Sequence, residues 1–410
     1  MKNKKDFIFC HRGLGTLDYY LPKAFECPED IETHFFIYSI WDWYSLNASV
    51  VLACVIKDSN SKIHFHLGSL RSKNAKITDK LLLSTIRKLI RALYRMGFSK
   101  MSLPLRLINF LIVGNGRKRT IPSFSSKAFK ESTLWAQWSK FDCIGQSILL
   151  GLTKLKEPLR LLPDAPYTES FYTMQNLDLL EQLDVRFYMG SQSNGDIFST
   201  AYPQYKDKIE IASLPSAINS WHEKFHSIKK SKTADCEISL LFLAQKNNGP
   251  GFDKEQFPEY SSLSNHRRNM TSVFKVLSNP SFNSKVSICY KAHPKLAPDE
   301  KWLLNKGKEF GVNISIIKSG SLWPLIFQAD IVVSEFTSAF IHASVVPCQL
   351  LVNGQSLEHY CKISPIIKST FQPFFESGAV IQPEEIEDRL KKLLLKIYPP
   401  PHQFKHDFSQ

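Results

Sequence analysis

Between Val286 and Val352 the chain repeats one period: a short apolar run, a segment long enough to cross back over a sheet, then another short apolar run. The runs at 286–290, 314–317, 330–333 and 349–352 are rich in Val, Ile and Leu, and the segments between them read as helices. Parallel neighbours need crossovers of that length, so the pattern predicts an α/β fold with a parallel sheet. Open parallel sheets take ligands beyond the carboxyl ends of their strands. Two of those ends carry anion-seeking residues here, Lys291-Ala292-His293-Pro294 and Ser334-Glu335-Phe336-Thr337-Ser338.

With 410 residues the chain exceeds one ordinary core, and two domains are expected. We place an acceptor-binding domain at 1–221, a linker at 222–236 where Lys229, Lys230 and Lys232 cluster, a nucleotide-donor domain at 237–398, and a loose Pro-rich tail at 399–410. The formal net charge of +14 suits a polyanion, an anionic membrane surface or a phosphorylated substrate without choosing among them. Eight cysteines are scattered without CxxC spacing, several inside apolar runs, as expected of small buried hydrophobes in a reducing compartment. The N-terminus has a basic start but no apolar run of signal-peptide length, and no stretch of 18 apolar residues follows. The expected location is the cytoplasm, including the inner face of the cytoplasmic membrane.

The first half also alternates. A strand at 6–10 runs into His11-Arg12-Gly13-Leu14-Gly15-Thr16 and a helical stretch from Leu17, so Arg12, Gly13 and Gly15 are candidates for an acceptor-side turn. A plain strand-to-helix turn fits those residues equally well. Further strands are expected at 34–39, 49–56, 63–67, 160–162, 185–189 and 209–212, with a polar turn at 190–196. Asp164 follows the 160–162 run on a Pro-flanked turn, where it would serve as a general base or as a helix cap. Between Lys80 and Lys130 there are twelve Lys and Arg and no Asp or Glu, interleaved with Leu, Ile and Phe. That composition fits attachment to an anionic bilayer, against the simpler alternative of a helix with a solvated basic face. No nucleic-acid-binding module accompanies the charge, and nucleic acid is not expected as a partner.

In the second half a strand at 238–244 ends at Gln245 and a loop, 246–251, long enough to close over a ligand. A helix at 267–278 follows, and an amphipathic helix at 384–398 closes the domain. Lys291 and His293 can neutralise phosphate oxygens, and Thr337 and Ser338 would offer hydroxyls and backbone N–H groups. Either hydroxyl alone would also serve as a helix cap. Glu335 is out of place in a phosphate pocket and is expected to bond a ribose hydroxyl or to fix the His293 ring. No Asp-x-Asp pair occurs, so a divalent ion on the donor diphosphate is not expected, and neither metal nor cofactor is assigned.

The KAHP turn followed by ADIVVSEFTSAFIHASVVPCQLLV resembles the C-terminal domain of bacterial surface-polysaccharide transferases that use cytidine-activated donors. These comprise CDP-glycerol glycerophosphotransferases and capsular sialyl- and Kdo-type transferases. The strand ISLLFLAQ resembles the one that opens their donor domain, and FIFCHRGLGTLDYYLP resembles an acceptor-domain opening. The resemblance implies a GT-B fold: two Rossmann-like domains with parallel sheets facing a central cleft. It also implies that His293 contacts the donor phosphate, that Thr337 and Ser338 bind phosphate through hydroxyl and backbone, and that Gln245 lies near the nucleotide; Lys291 and Pro294, in the same turn as His293, are donor-binding candidates with it. Several relatives carry His-Gly where this chain has Asp164-Ala165, so the base departs from their pattern. The implied activity is transfer of a sugar from a CMP-sialic acid or CMP-Kdo type donor to a surface polysaccharide or glycolipid. The alternatives are a CDP-polyol phosphotransferase, a non-hydrolysing nucleotide-sugar epimerase and a non-catalytic protein that binds membrane or glycan.

Overall fold

A computed structural model describes residues 4–10, 14–26, 29–37, 59, 61–65, 89, 132–138, 158–163, 180–212, 215, 218–223, 238–244, 263–293, 299–318, 320–335, 337, 339–354, 361 and 365–395. The basic stretch from Lys80 to Lys130, apart from Leu89, lies outside these residues, as do the run at 49–56 and most of the expected linker.

Two parallel sheets carry the fold. The first contains β1 (Lys4–Cys10), β2 (Ile31–Ile37), β3 (Ser61–Phe65), β4 (Ser132–Trp138), β5 (Leu159–Pro163), β6 (Val185–Met189) and β7 (Ile209–Ile211), in the order β3-β2-β1-β4-β5-β6-β7. The second contains β8 (Ile238–Leu243), β9 (Val286–Lys291), β10 (Ile314–Ile317), β11 (Ile331–Ser334), β12 (Gln349–Asn353) and β13 (Val380–Ile381), in the order β10-β9-β8-β11-β12-β13. Both orders are the doubly wound 3-2-1-4-5-6 arrangement, the first with a seventh strand at its edge, and in each the winding reverses beside the first strand of the sheet. Every strand pair is parallel.

The strands follow the expected runs to within a few residues at their ends, but β4 and β13 have no counterpart in the sequence reading. The polar turn expected at 190–196 instead opens a helix, α2 (Gln192–Ala201), whose N-cap Ser191 accepts a hydrogen bond from Asn194 N at 3.3 Å. Likewise α1 (Leu14–Tyr20) begins three residues before Leu17, so Gly15 is helical rather than part of a turn. The inward faces of Leu17 and Tyr20, continued by Leu21 in the following 3-10 turn, hold that short helix in place.

Burial alternates with period two on each central strand. Ile8 and Cys10 of β1 enter one apolar cluster, while Phe7 and Phe9 enter another. On β8, Leu241 and Leu243 enter the first of these clusters, while Leu240 and Phe242 enter a third. The cluster shared by β1 and β8 therefore belongs to both halves. It joins Ile8, Leu17, Tyr20 and Trp135 to Leu241, Val332, Phe340 and Val352. Its centre is aromatic: Trp221 and Trp323 meet edge-on at 5.3 Å, and Trp323 stacks on Phe327 at 5.5 Å within α6 (Trp323–Gln328). The helix α8 (Pro365–Glu376) adds Phe371 and Phe374 against Phe340 of α7 (Ala339–Ser344). Gly378, at φ +71°, turns the chain out of α8 toward β13, a conformation that penalises any residue with a Cβ.

Trp323 is fully buried where the halves meet. Trp323→Ala is expected to lower the stability of the whole chain by about 3–5 kcal/mol in urea unfolding. A loss below about 1 kcal/mol would mean that the junction is not packed as described.

Candidate functional site

The carboxyl ends of β9, β8 and β11 lie side by side. Lys291 pairs with Leu243, Leu243 pairs with Ser334, and the register continues as Ala244 N donates to Lys291 O at 3.1 Å and Glu335 N to Leu243 O at 3.0 Å. Adjacent strands stand about 4.8 Å apart, so the exits that carry Lys291 and Ser334 are about 10 Å apart across β8. This is the reversal point of the second sheet, where a doubly wound sheet leaves its crevice.

Lys291 is buried, with 7% of its surface exposed. Burial pushes its ammonium pKa down, and the Asp18 carboxylate followed by Cys289 opposes that fall. His293, two residues on, is half-buried. Thr337 Oγ1 accepts from Ala339 N, the first residue of α7, at 3.5 Å. Ser334 is fully buried and donates its hydroxyl to Glu335 O at 2.7 Å, which shapes the exit of β11.

Glu335 is turned inward, 4% exposed, toward α3 (Leu263–Leu277). Its Oε1 lies 3.0 Å from His266 Nδ1 and accepts from Asn269 Nδ2 at 3.3 Å. His266 Nε2 in turn lies 3.1 Å from the Tyr290 hydroxyl on β9. The chain Glu335–His266–Tyr290 thus ties the exits of β11 and β9 to α3. A ribose hydroxyl or the His293 ring was the expected partner of Glu335; in the structure its carboxylate meets His266 and Asn269 on α3. Burial opposes the His266 imidazolium most strongly of all, but the Glu335 carboxylate and Asp299 together outweigh it and raise the pKa above the ordinary 6.5. Tyr290 is pushed well above its usual range, by burial first and then by Glu335 and Asp299.

Asp18 of α1 reaches this region from the first half. Its carboxylate accepts from Ser321 Oγ at 2.6 Å and from Leu322 N at 3.0 Å, and its main-chain oxygen accepts from Trp323 Nε1 at 2.6 Å. The carboxyl sides of the two sheets therefore face each other through α1 and the turn before α6. Of the residues the sequence singled out, the structure brings Lys291, His293, Glu335 and Thr337 to one sheet edge. Gly15 sits on α1, and Asp164 directly follows Pro163 at the end of β5. Arg12, Gly13, Asp164, Gln245, Pro294 and Ser338 themselves lie outside the described residues.

Sequence reasoning missed Asp18, His266 and Asn269. Each carries a detectable signal, a polar residue spaced onto the apolar face of an amphipathic helix. Asp18 falls next to Leu17 and Tyr20, while His266 and Asn269 share a face with Met270 and Val273. The four described cysteines, Cys10, Cys289, Cys348 and Cys361, are free thiols. Among the described residues no helix is long and apolar enough to cross a membrane.

No protein-family model matches the chain, and a search of curated proteins finds no match. Solved structures do match. A structure of S. aureus MnaA with UDP shares 10% identity, covers 99% of this chain and 93% of its own, and superposes with a TM-score of 0.52. A Listeria monocytogenes structure assigned as a UDP-N-acetylglucosamine 2-epimerase shares 11% identity, covers 97% and 89%, and gives 0.51. At these identities the likeness concerns the fold, and the chain has the two-domain GT-B-like architecture.

A raised His266 pKa stabilises the fold at pH below the unfolded value near 6.5, and that contribution is lost as pH rises through the folded value. Glu335→Gln is therefore expected to cost more at pH 5.5 than at pH 9, by about 1 kcal/mol or more in urea unfolding. Equal costs at the two pH values would show that His266 is uncharged in the folded protein.

Proposed function

We propose that this protein binds a nucleotide-activated donor at the carboxyl edge of its second sheet and transfers the activated group to a surface polysaccharide or glycolipid. The observation that carries this reading is Lys291, a buried ammonium at the reversal point of a doubly wound sheet. A buried cation attracts anions strongly, and a ligand phosphate at that edge would add its charge to that of the Asp18 carboxylate. The choice of a cytidine nucleotide, with a CMP-sialic acid or CMP-Kdo type donor, rests on the similarity of the KAHP and SEFTS turns to cytidine-dependent transferases.

In this reading the acceptor hydroxyl attacks the anomeric carbon of the donor while Asp164 takes its proton. The bond to the nucleotide phosphate breaks, and CMP leaves with the bonding pair. Lys291 and His293 carry the charge on the departing phosphate, helped by the Thr337 and Ser338 region. Glu335, His266 and Tyr290 support those groups from behind by fixing both strand exits against α3. The acceptor would enter from the first sheet, where α1 borders the junction. The basic stretch from Lys80 to Lys130 would hold the enzyme at an anionic membrane that carries a lipid-linked acceptor.

A second reading, epimerisation of a UDP-sugar, is favoured by one observation: the two similar structures above are of a UDP-bound protein and of a protein assigned as a UDP-N-acetylglucosamine 2-epimerase. The readings separate by nucleotide and by product. A thermal-shift panel of CMP, CDP, UMP and UDP is expected to give its largest shift with CMP, because a ligand of the folded state raises the melting temperature. A UDP-selective shift, with an epimeric sugar formed and no acceptor consumed, would replace the transferase reading by the epimerase one. With the donor identified, His293→Ala is expected to lower kcat by about 10²–10⁴-fold with an unchanged melting temperature. Undiminished turnover in that variant would remove His293 from the chemistry.

A further inference from the structure

Among the described residues, the first half of the chain sends the Asp18 carboxylate into the neighbourhood of Lys291, and its setting is that of a fixed group. Asp18 is 7% exposed and sits on a helix that packs into the shared core. Three donors hold it: Ser321 Oγ and Leu322 N on the carboxylate, and Trp323 Nε1 on the main-chain oxygen. Ser321 is itself buried, and its Oγ also accepts from Trp323 N at 3.3 Å, so the turn that grips Asp18 is braced from within. That turn leaves β10 four residues after Ile317, and Ile317 is the register partner of Lys291. The grip therefore brings the Asp18 carboxylate to the exit of β10, the strand beside the one that carries Lys291.

We propose that Asp18 is a positioning residue for the phosphate-binding site: a counter-anion supplied by the first domain that keeps Lys291 charged and in place, so that anion binding on the second domain depends on the docking of the first. The inference rests on the reading that Lys291 receives the donor phosphate and adds what maintains that lysine. Removing a charged group from water costs several kcal/mol unless an opposite charge accompanies it. Asp18 accompanies it here and opposes the effect of burial on Lys291. Among the described residues the other groups around Lys291 supply little. From β8 come Leu243 and Ala244, and from β10 comes Ile317, none of them charged. Lys318, the residue after β10, is paired with Glu300 of α5 (Glu300–Glu309), the helix that follows α4 (Pro280–Asn283). Cys289, two residues back on β9, is a thiol that burial pushes up to about 11, and His293 follows on the strand's own turn. The carboxylate that matters is thus 273 positions from the lysine in sequence, on the other domain.

Binding of CMP and of UMP to the full chain, measured by calorimetry from pH 7 to pH 10.5, tests this. The range lies above the second phosphate ionisation near 6, and comparison between variants cancels ionisation of the base. Asp18→Asn keeps the size of the side chain and an acceptor oxygen for Ser321 or Leu322 while removing the charge. The expected result is that wild-type affinity falls only at the alkaline end and that in Asp18→Asn this fall moves to lower pH by about one unit or more. Ser321→Ala leaves both charges but loosens the carboxylate, so it should move the fall in the same direction by less. It also provides the reading if Asp18→Asn does not fold. Lys291→Met should bind at least tenfold more weakly, with no fall of its own.

If Lys291→Met loses binding while Asp18→Asn and Ser321→Ala both superimpose on the wild-type profile, Lys291 binds the phosphate without help from Asp18 and the inference is wrong. Should Lys291→Met bind as the wild type does, or the wild type bind neither nucleotide, the phosphate site itself falls and the inference falls with it.

Discussion

The junction between the halves is the constraint on which the rest of this structure depends. Each sheet buries one face in its own apolar cluster and gives the other to a common one, so neither half completes its core alone. Fully burying a large apolar side chain contributes about 1.5–3 kcal/mol, and the common cluster takes such residues from β1, β4, β8, β11 and β12 together with the helices between them. The arrangement fixes where the carboxyl edges of the sheets meet. It also makes the junction apolar, which sets a high cost for every polar group that enters it.

The charged groups that enter it are compensated. Asp18 meets three donors, Ser321 is bonded on two sides, and Lys291 has the Asp18 charge close by. On the opposite side of β8 the Glu335–His266–Tyr290 chain follows the same rule, with a carboxylate, an imidazole and a phenol satisfying one another inside the core. Asn269 donates to Glu335 but leaves its own Oδ1 without a partner, and Tyr19 Oη and Nδ1 of His342 are likewise buried and unpaired. Burial holds His342 neutral, down to about 4, so it acts as an aromatic spacer against Trp323 at 5.0 Å. The charged groups are therefore concentrated at the strand exits, and the centre of the junction is left to rings.

What the sequence disclosed follows from how local each feature is. The runs that became β8, β11 and β12 are buried on both faces, and such strands read as unbroken apolar stretches whatever their neighbours. β4 is just as central, with Leu134 and Ala136 on one face and Trp135 on the other, yet Ser132, Thr133 and Gln137 dilute its run below recognition. The helix at 192–201 was hidden by Gly190, Asn194 and Gly195, residues whose local preference is for a turn; packing decided otherwise, since the backbone at Gly195 comes close enough to Ile211 that a Cβ there would lie 2.8 Å from its Cδ1. At the candidate site, Lys291, His293 and Thr337 were legible because strand ends in an α/β pattern announce where a ligand goes. Asp18 was not, because its partners are more than 300 residues away, and neither was the role of Glu335, set by a histidine 69 residues back on a different element.

The order of the strands gives these long-range contacts a common origin. In each sheet the first strand is central, so the connections on its two sides leave in opposite directions and the exits of strands far apart in sequence become neighbours. Lys291 and Ser334 are brought to either side of Leu243 in this way, and the turn before α6 is carried to the face where α1 of the other sheet waits. Chemistry at such a place is assembled from pieces that have no reason to resemble a motif when read along the chain. A carboxylate that governs a lysine from another domain is the expected kind of residue there, and hydrophobic pattern alone marks it only as an acid on the wrong face of a helix.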